Sequence, residues 1–171
     1  MFVVTGATGH TGSTIANRLL DQKRKVRVIG RSKDRLQPLV ARGAEGVAAD
    51  LSNQAALTKA FTGSDAVYVM FPPDAASHDY RAEQRRLGTA IAAALEQAKV
   101  KYAVVLSSVG ADKESGTGPV AGLHELEKML DRITGLNVLN LRAGYFMENT
   151  LGQAAAIHAM GKTVGPLRGD L

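Results

Sequence analysis

Apolar residues recur along the chain in short runs that alternate with stretches of helical spacing. The run Phe2-Val3-Val4 is followed by Ile15, Ala16, Leu19 and Leu20, which lie on one face of a helix. The same alternation continues through the chain. We therefore expect strands and amphipathic helices in succession, a pattern that favours a parallel sheet joined by right-handed helical crossovers.

Strands are predicted wherever a short apolar run is bounded by turn residues. There are six such runs, at residues 2–4, 25–30, 46–49, 65–71, 102–106 and 137–141. The fourth is continuously apolar after its leading aspartate, as in a strand that is covered on both faces. Helices are predicted between the runs, a long one at about 78–98, and a last helix runs toward Met160. Six parallel strands with helices on both faces form a doubly wound α/β sheet of the Rossmann-like type.

The loop between the first strand and the first helix carries regularly spaced glycines. It reads Thr5-Gly6-Ala7-Thr8-Gly9-His10-Thr11-Gly12 and opens directly into the helical pattern. In such a loop the first glycine permits a tight turn, the second lets the backbone approach a pyrophosphate, and the third lets helix and strand pack closely. The helix start offers N–H groups and a positive dipole end to phosphates. The loop predicts a dinucleotide site, with a purely structural turn as the alternative.

Other segments reach the same edge of the predicted sheet. Arg31 follows the second strand, where an acidic residue would bind a ribose 2′-hydroxyl and an arginine would accommodate a 2′-phosphate. Because its planar guanidinium suits phosphate, Arg31 favours NADP over NAD, a solvated strand end being the alternative. The remaining segments at this edge are Asp50-Leu51, residues 71–73, Ser107-Ser108 and residues 142–146.

Composition narrows the class of protein. A length of 171 residues, 45% of them hydrophobic, suits one domain with a buried core. No apolar run reaches the length of a membrane-spanning helix, and we expect a cytoplasmic protein. The absence of cysteine excludes disulfides and thiolate ligands, and no metal site is expected. The net charge of +5 would suit nucleic acid, but basic and acidic residues are mixed and no aromatic stripe accompanies them, so no such partner is expected.

Five segments in combination are similar to those of a known family. They are the glycine loop, Val28-Ile29-Gly30-Arg31, Leu106-Ser107-Ser108-Val109-Gly110-Ala111, His124-Glu125-Leu126-Glu127-Lys128 and Arg142-Ala143-Gly144-Tyr145-Phe146-Met147-Glu148-Asn149. Over essentially the whole chain they resemble NmrA-like proteins, which are atypical relatives of short-chain dehydrogenases and reductases. The nearest pattern is that of the NAD(P)H quinone oxidoreductase branch. The resemblance implies NADPH as cofactor, with NAD as the alternative, and a quinone or other small carbonyl-type acceptor.

The resemblance also implies which residues form the site. The implied cofactor-binding residues are Gly6, Thr8, Gly9, His10, Thr11, Gly12, Arg31, Asp50, Leu51, Phe71, Pro72, Ser107 and Lys128. Among them the loop residues would surround the pyrophosphate, Arg31 the 2′-phosphate, and Asp50 with Leu51 the adenine. Phe71 and Pro72 would border the ribose on the nicotinamide side. The residues that would approach the nicotinamide or the substrate are Ser107, Lys128 and Tyr145.

The chain departs from the common catalytic pattern of short-chain dehydrogenases. Those enzymes use a Tyr-x-x-x-Lys pair, whereas here His124 stands at that spacing before Lys128. Residues four apart share a helix face, and an imidazole can donate a proton near neutral pH or can cap or pack. With Tyr145, these two residues are the catalytic candidates. The missing tyrosine disfavours a sugar-nucleotide epimerase.

Two functions follow from these residues. The first is an NADPH-dependent oxidoreductase, because quinones accept hydride readily and positioning can supply most of the catalysis. The second is a non-catalytic NAD(P)H redox sensor that regulates a protein partner; a homodimer is compatible with both. Family members usually continue for about another hundred residues, a domain-scale addition. We therefore expect residues 1–171 to be an NAD(P)-binding Rossmann domain truncated before the C-terminal substrate region.

Overall fold

The computed structural model of the chain describes residues 1–72, 77 and 79–162. Its strands are β1 (Phe2–Val4), β2 (Val26–Gly30), β3 (Glu45–Ala48), β4 (Ala66–Val69), β5 (Tyr102–Ser108) and β6 (Asn137–Ala143). They form one sheet in the order β3-β2-β1-β4-β5-β6, with every neighbouring pair parallel. This order confirms the predicted doubly wound, Rossmann-like sheet. Winding reverses between β1 and β4, which is the place where such sheets bind ligands.

The helices alternate with the strands as predicted. They are α1 (His10–Asp21), α2 (Lys33–Ala41), α3 (Gln54–Phe61), α4 (Tyr80–Gln97), α5 (Ala121–Leu130) and α6 (Ala154–Met160), with short 3-10 segments at Gly118–Val120 and Met147–Gln153. The predicted start of the fourth helix at residue 78 lies outside the described residues, as do residue 73 of the predicted sheet-edge segment 71–73 and residues 163–171. Along the described ranges, no helix combines the length and apolar character needed to cross a membrane.

Two apolar layers hold the helices on opposite faces of the sheet. On one face Val4, Val28 and Tyr68 pack with side chains of α1 and α2. Val3 and Val67, their immediate neighbours in sequence, pack on the other face with α3, α4 and α5. Successive side chains of a strand alternate between faces, so each strand contributes to both layers. A fully buried side chain of this kind adds about 1.5–3 kcal/mol to stability.

The face that carries α1 and α2 is incompletely covered at β5 and β6. On this face Leu139 is 57% exposed and Leu141 is 46% exposed. Within the described part of the chain, α6 and the 3-10 segment before it contact mainly each other. They leave Met147 and Leu151 exposed as well. The sheet is thus covered on both faces near β1 and on one face at β6.

Candidate functional site

The turn of the glycine loop, residues 5–12, requires glycine at two of its positions. Gly6 has a φ of +60°, in the left-handed region that glycine favours, and a Cβ there would stand 2.5 Å from Met70 Sδ. A Cβ on Gly12 would lie 2.3 Å from the carbonyl oxygen of Gly6, so α1 passes over the loop with no room for a side chain. Gly9 has an extended backbone, and a Cβ there would lie 3.4 Å from its nearest neighbour, the carbonyl oxygen of Gly6. Internal packing therefore requires Gly6 and Gly12, while Gly9 leaves an open approach to the backbone.

The start of α1 is electrostatically unlike the starts of the next three helices. Ser32, Asn53 and Asp79 cap α2, α3 and α4, each accepting a hydrogen bond from a backbone N–H in the first turn. At α1 the cap position is Gly9, which has no side chain, and the first turn holds no acidic residue. The first N–H groups of a helix have no partner within it, and they lie at the positive end of its dipole. The start of α1 can therefore receive an anion.

The first cavity, of about 350 Å³, opens beside this loop at the carboxyl ends of β2, β3 and β4. Its lining brings together many of the residues predicted from sequence: Gly6, Thr8, Gly9, Arg31, Asp50, Leu51 and Pro72. Further lining residues that the sequence did not single out include Arg35, Met70, Tyr80, Glu83, Gln84 and Leu87. Arg35 lies in the first turn of α2, four residues after Arg31.

Charges in the first cavity are of both signs. Arg31 and Arg35 are exposed and form no ion pair with the described residues. Asp50 Oδ1 accepts hydrogen bonds from the N–H and the hydroxyl of Ser52 at 2.8 and 2.6 Å. These bonds lower the pKa of Asp50 against the opposing effect of burial, and the charges of Arg86 and Arg31 lower it further. Asp50 is therefore an ionised acceptor beside cationic groups that suit phosphate.

The second cavity, of about 390 Å³, lies between the start of α1 and strands β4, β5 and β6. The predicted residues His10 and Thr11 line it, together with Thr14, Ile15, Tyr68, Leu106, Leu141 and Glu148. The Tyr68 hydroxyl donates to Thr11 Oγ1 at 3.2 Å. Burial raises the pKa of Tyr68 by more than this hydrogen bond lowers it, so the phenol stays protonated at neutral pH.

Ser107 lies outside both cavities because strand alternation turns its side chain toward α5. It is 3% exposed, and its hydroxyl donates to Glu127 Oε1 at 2.5 Å. Arg142 donates to the same carboxylate, from Nε to Oε1 at 3.2 Å and from Nη2 to Oε2 at 2.6 Å. This cluster joins the ends of β5 and β6 to α5. The sequence pointed to Ser107 but not to its partner Glu127.

The other predicted residues are also placed away from the cavities. A Cβ on Gly88 of α4 would lie 3.4 Å from Phe71 Cζ, which shows that the Phe71 ring packs toward the helices. His124 Nδ1 lies 2.8 Å from the Ala111 carbonyl oxygen, which can only accept, so this nitrogen is the donor. Lys128 and Tyr145 are exposed. In the described structure none of Phe71, His124, Lys128 or Tyr145 lines either cavity.

A family model described as NAD(P)H-binding matches residues 6–159. The chain belongs to this NAD(P)H-binding family. The match includes residues 6–12 of the glycine loop, Arg31 and Asp50, which the structure places around one edge of the sheet. The residues at this edge fit NAD(P)H. The uncapped start of α1 suits its phosphates, Asp50 is an ionised hydrogen-bond acceptor, and the guanidinium groups of Arg31 and Arg35 form no ion pair with the described residues.

Two relatives in sequence and one solved structure that are similar to this chain have the names of oxidoreductases. The NAD(P)H azoreductase of Xenophilus azovorans is 30% identical over 98% of this chain and 56% of its own length. Quinone oxidoreductase 2 of Escherichia coli (strain K12) is 31% identical over 96% of this chain and 56% of its own length. The crystal structure of an NADPH-dependent quinone oxidoreductase from Escherichia coli complexed with NADPH matches with a TM-score of 0.80 and 28% identity, covering 94% of this chain and 55% of that chain. The chain thus spans little more than half the length of these relatives.

Proposed function

We propose that the chain is the cofactor-binding domain of an NADPH-dependent oxidoreductase of the NmrA-like type, acting on quinones or other small carbonyl-type acceptors. The observation that carries this proposal is the first cavity at the carboxyl edge of the sheet. It combines the uncapped start of α1 with the guanidinium groups of Arg31 and Arg35 and the carboxylate of Asp50. A dinucleotide presents phosphates and an adenine amino group, which are the complements of these groups.

The residues that line the first cavity favour one orientation of a bound dinucleotide. The pyrophosphate would lie against Gly9 and the first N–H groups of α1. The adenine would lie beside Asp50 and Leu51, with Asp50 accepting a hydrogen bond from the amino group. Pro72, three residues after the end of β4, would border the ribose. The nicotinamide end would then point toward β5 and β6.

Arg31 and Arg35 favour NADPH over NADH. The residues that directly follow β2 are Arg31-Ser32-Lys33, so no carboxylate stands where one would bind the 2′-hydroxyl of NADH. Both guanidinium groups can donate charge-assisted hydrogen bonds to a 2′-phosphate. NADH lacks this phosphate and would leave both charges without a partner. We therefore expect a preference for NADPH.

The chemistry needs little acid catalysis from the protein. Bound NADPH supplies a hydride, and reduction of a quinone by NADPH and one proton gives the hydroquinone and NADP⁺. The protein would hold the acceptor in line with the cofactor and limit the access of water. For His124, the contact with the Ala111 carbonyl supports the packing role. The role of His124 as proton donor, and those of Lys128 and Tyr145, stay predictions.

Quinone-dependent oxidation of NADPH tests the proposed reaction. Purified protein mixed with NADPH and a naphthoquinone should lose the absorbance of the reduced nicotinamide, and do so faster than with NADH. In the same assay, loss of one limb of the pH profile in His124→Gln would show proton donation by His124, and an unchanged profile would show packing alone.

If NADPH binds tightly but is not oxidised in the presence of several quinones and carbonyl acceptors, the proposal of an oxidoreductase is contradicted. This result would favour the second candidate, a redox sensor, for which the missing tyrosine is the supporting observation. A sensor should change its oligomeric state or its capture of a protein partner when NADPH is added. Identical sedimentation and pull-down results with and without NADPH would exclude that candidate.

A further inference from the structure

Helix α4 forms one wall of the first cavity. Residues of one face of this helix line the cavity, at the spacing that a helical turn requires: Tyr80, Glu83, Gln84 and Leu87. The same cavity is lined by Asp50 and Leu51, which follow β3 and border the position proposed for the adenine. A dinucleotide in this cavity therefore meets α4 as well as the ends of the strands.

Two buried leucines provide apolar surface for the adenine ring. Leu51 is 8% exposed and Leu87 is 5% exposed, and both belong to the apolar layer that holds α3, α4 and α5. Contact with aliphatic side chains stabilises any flat ring of this size by dispersion. It does not distinguish one purine from another. Recognition of the base therefore depends on the polar groups that its edge meets.

Glu83 is an oriented carboxylate on the α4 wall. Arg86 Nε donates to Glu83 Oε2 at 2.9 Å, and Arg86 Nη2 donates to Oε1 at 2.8 Å, so the pair is bidentate. The hydrogen bonds from Arg86 lower the pKa of Glu83, while burial and the charge of Asp50 oppose this effect. Each oxygen of an ionised carboxylate can accept more than one hydrogen bond. Glu83 is thus a fixed acceptor that lies near enough to Asp50 for their charges to interact.

The amino group of adenine is the complement of two carboxylates. It carries two N–H groups and can donate one to each acceptor. Hypoxanthine has an oxygen at the same ring position, which accepts and cannot donate. Between Asp50 and Glu83 this oxygen would find no donor and would be repelled by both charges. The two carboxylates therefore favour adenine over hypoxanthine.

We propose that Glu83 is a base-specificity residue of the cofactor site, accepting one N–H of the adenine amino group while Asp50 accepts the other, and that Arg86 positions Glu83. This inference rests on the proposed function, because it needs a dinucleotide in the first cavity. It adds a residue of α4 to a site that the sequence placed only at the strand ends. Glu83 contacts the adenine and takes no part in hydride transfer.

Calorimetric titration with two matched nucleotides tests the inference. The probes are NADPH and deamino-NADPH, in which hypoxanthine replaces adenine. Both carry the same phosphates, so the ratio of their Kd values cancels any effect of a substitution on phosphate binding. Wild type should bind NADPH at least about tenfold more tightly than deamino-NADPH. Glu83→Gln should reduce this ratio at least about fivefold, because its amide can donate to the hypoxanthine oxygen.

Helix α4 itself offers matched controls. Glu96→Gln makes the same change at an exposed residue that does not line the cavity, and it should keep the wild-type ratio. Arg86→Gln should reduce the ratio about two- to fivefold, because Glu83 loses the partner that orients it. Its control is Arg85→Gln, at the exposed neighbour that pairs with Glu125. Equal ratios for these two variants would overturn the positioning role of Arg86.

The possible results separate the base specificity from the function. Equal Kd values of wild type for the two nucleotides, or a wild-type ratio in Glu83→Gln, would overturn the inference and leave the proposed oxidoreductase in place. A substitution that only loosens α4 would weaken both nucleotides alike and leave the ratio unchanged, which also counts against Glu83. Binding of neither nucleotide to wild type would overturn the proposed function and the inference together.

Discussion

The carboxylate of Glu127 is held between Arg142 at the end of β6 and Ser107 at the end of β5. Glu127 is 4% exposed, so a charge that lies inside the protein is compensated by an arginine from a different element. Two strand ends and one helix therefore meet at a single ion pair, on the edge where the candidate site lies. An unpartnered charge at such a point would be costly.

Removing the charge of Glu127 should change how stability depends on pH. Burial alone would raise the pKa of Glu127, but hydrogen bonds from Arg142 and Ser107 and the charge of Arg142 outweigh it, and the pKa is lowered. A depressed pKa adds stability above the unfolded value of about 4.3, and this stability is lost as pH falls through the folded pKa. Wild type should therefore lose more stability than Glu127→Gln between about pH 6 and about pH 3.

Urea unfolding at both pH values measures this difference. At neutral pH Glu127→Gln should cost about 1–3 kcal/mol, because Arg142 keeps its charge and loses its carboxylate. Glu114→Gln makes the same chemical change at an exposed site and serves as the control. Parallel pH dependences for wild type and Glu127→Gln would show that the ion pair adds no net stability.

Alanine at Gly12 should be much more damaging than alanine at Gly9. The new Cβ at Gly12 would overlap the Gly6 carbonyl, which is backbone and has little freedom to move. We expect Gly12→Ala to cost more than about 2 kcal/mol and Gly9→Ala less than about 1 kcal/mol. Thermal or urea unfolding of the two variants makes the comparison. Equal losses would contradict the close approach of α1 to the loop.

Gly122 and Gln84 should be energetically coupled. Gln84 is buried and its Nε2 donates to the Pro119 carbonyl at 2.9 Å, while a Cβ on Gly122 would lie 2.1 Å from its Oε1. Gly122→Ala alone should cost about 1–3 kcal/mol because it displaces Gln84. In a Gln84→Ala background the same change should be neutral or stabilising by up to about 1 kcal/mol, since alanine favours helix. Additive effects in unfolding experiments on the four proteins would contradict this coupling.

The sequence predicted the fold well because its signals are local. Each of these signals determines the structure of a few neighbouring residues; they are the apolar strand runs, the glycine loop and the capping residues. Together they are compatible with few topologies of a parallel sheet. The conformations of Gly6 and Gly12 could be anticipated for the same reason. The positions of Arg31 and Asp50 at the site could be predicted because both residues follow strands at the carboxyl edge of the sheet.

Residues that depend on distant partners were missed. Glu127 lies on the apolar face of α5 with Leu123 and Leu130, and a charge on such a face is the available signal for a buried partner. Which residue pairs with it depends on the register of β5 and β6, which the sequence does not fix. The α4 wall of the first cavity, including Tyr80 and Glu83, likewise depends on how that helix crosses the sheet.

Calorimetric titration with NADPH and with NADH tests the central claim most directly. The proteins are wild type, Arg31→Asp and, as control for the charge change, Arg132→Asp at an exposed residue outside both cavities. We predict that wild type and Arg132→Asp bind NADPH at least about tenfold more tightly than NADH and that Arg31→Asp loses this preference. Equal affinities of wild type for the two nucleotides, or binding of neither, would contradict the assignment of the first cavity.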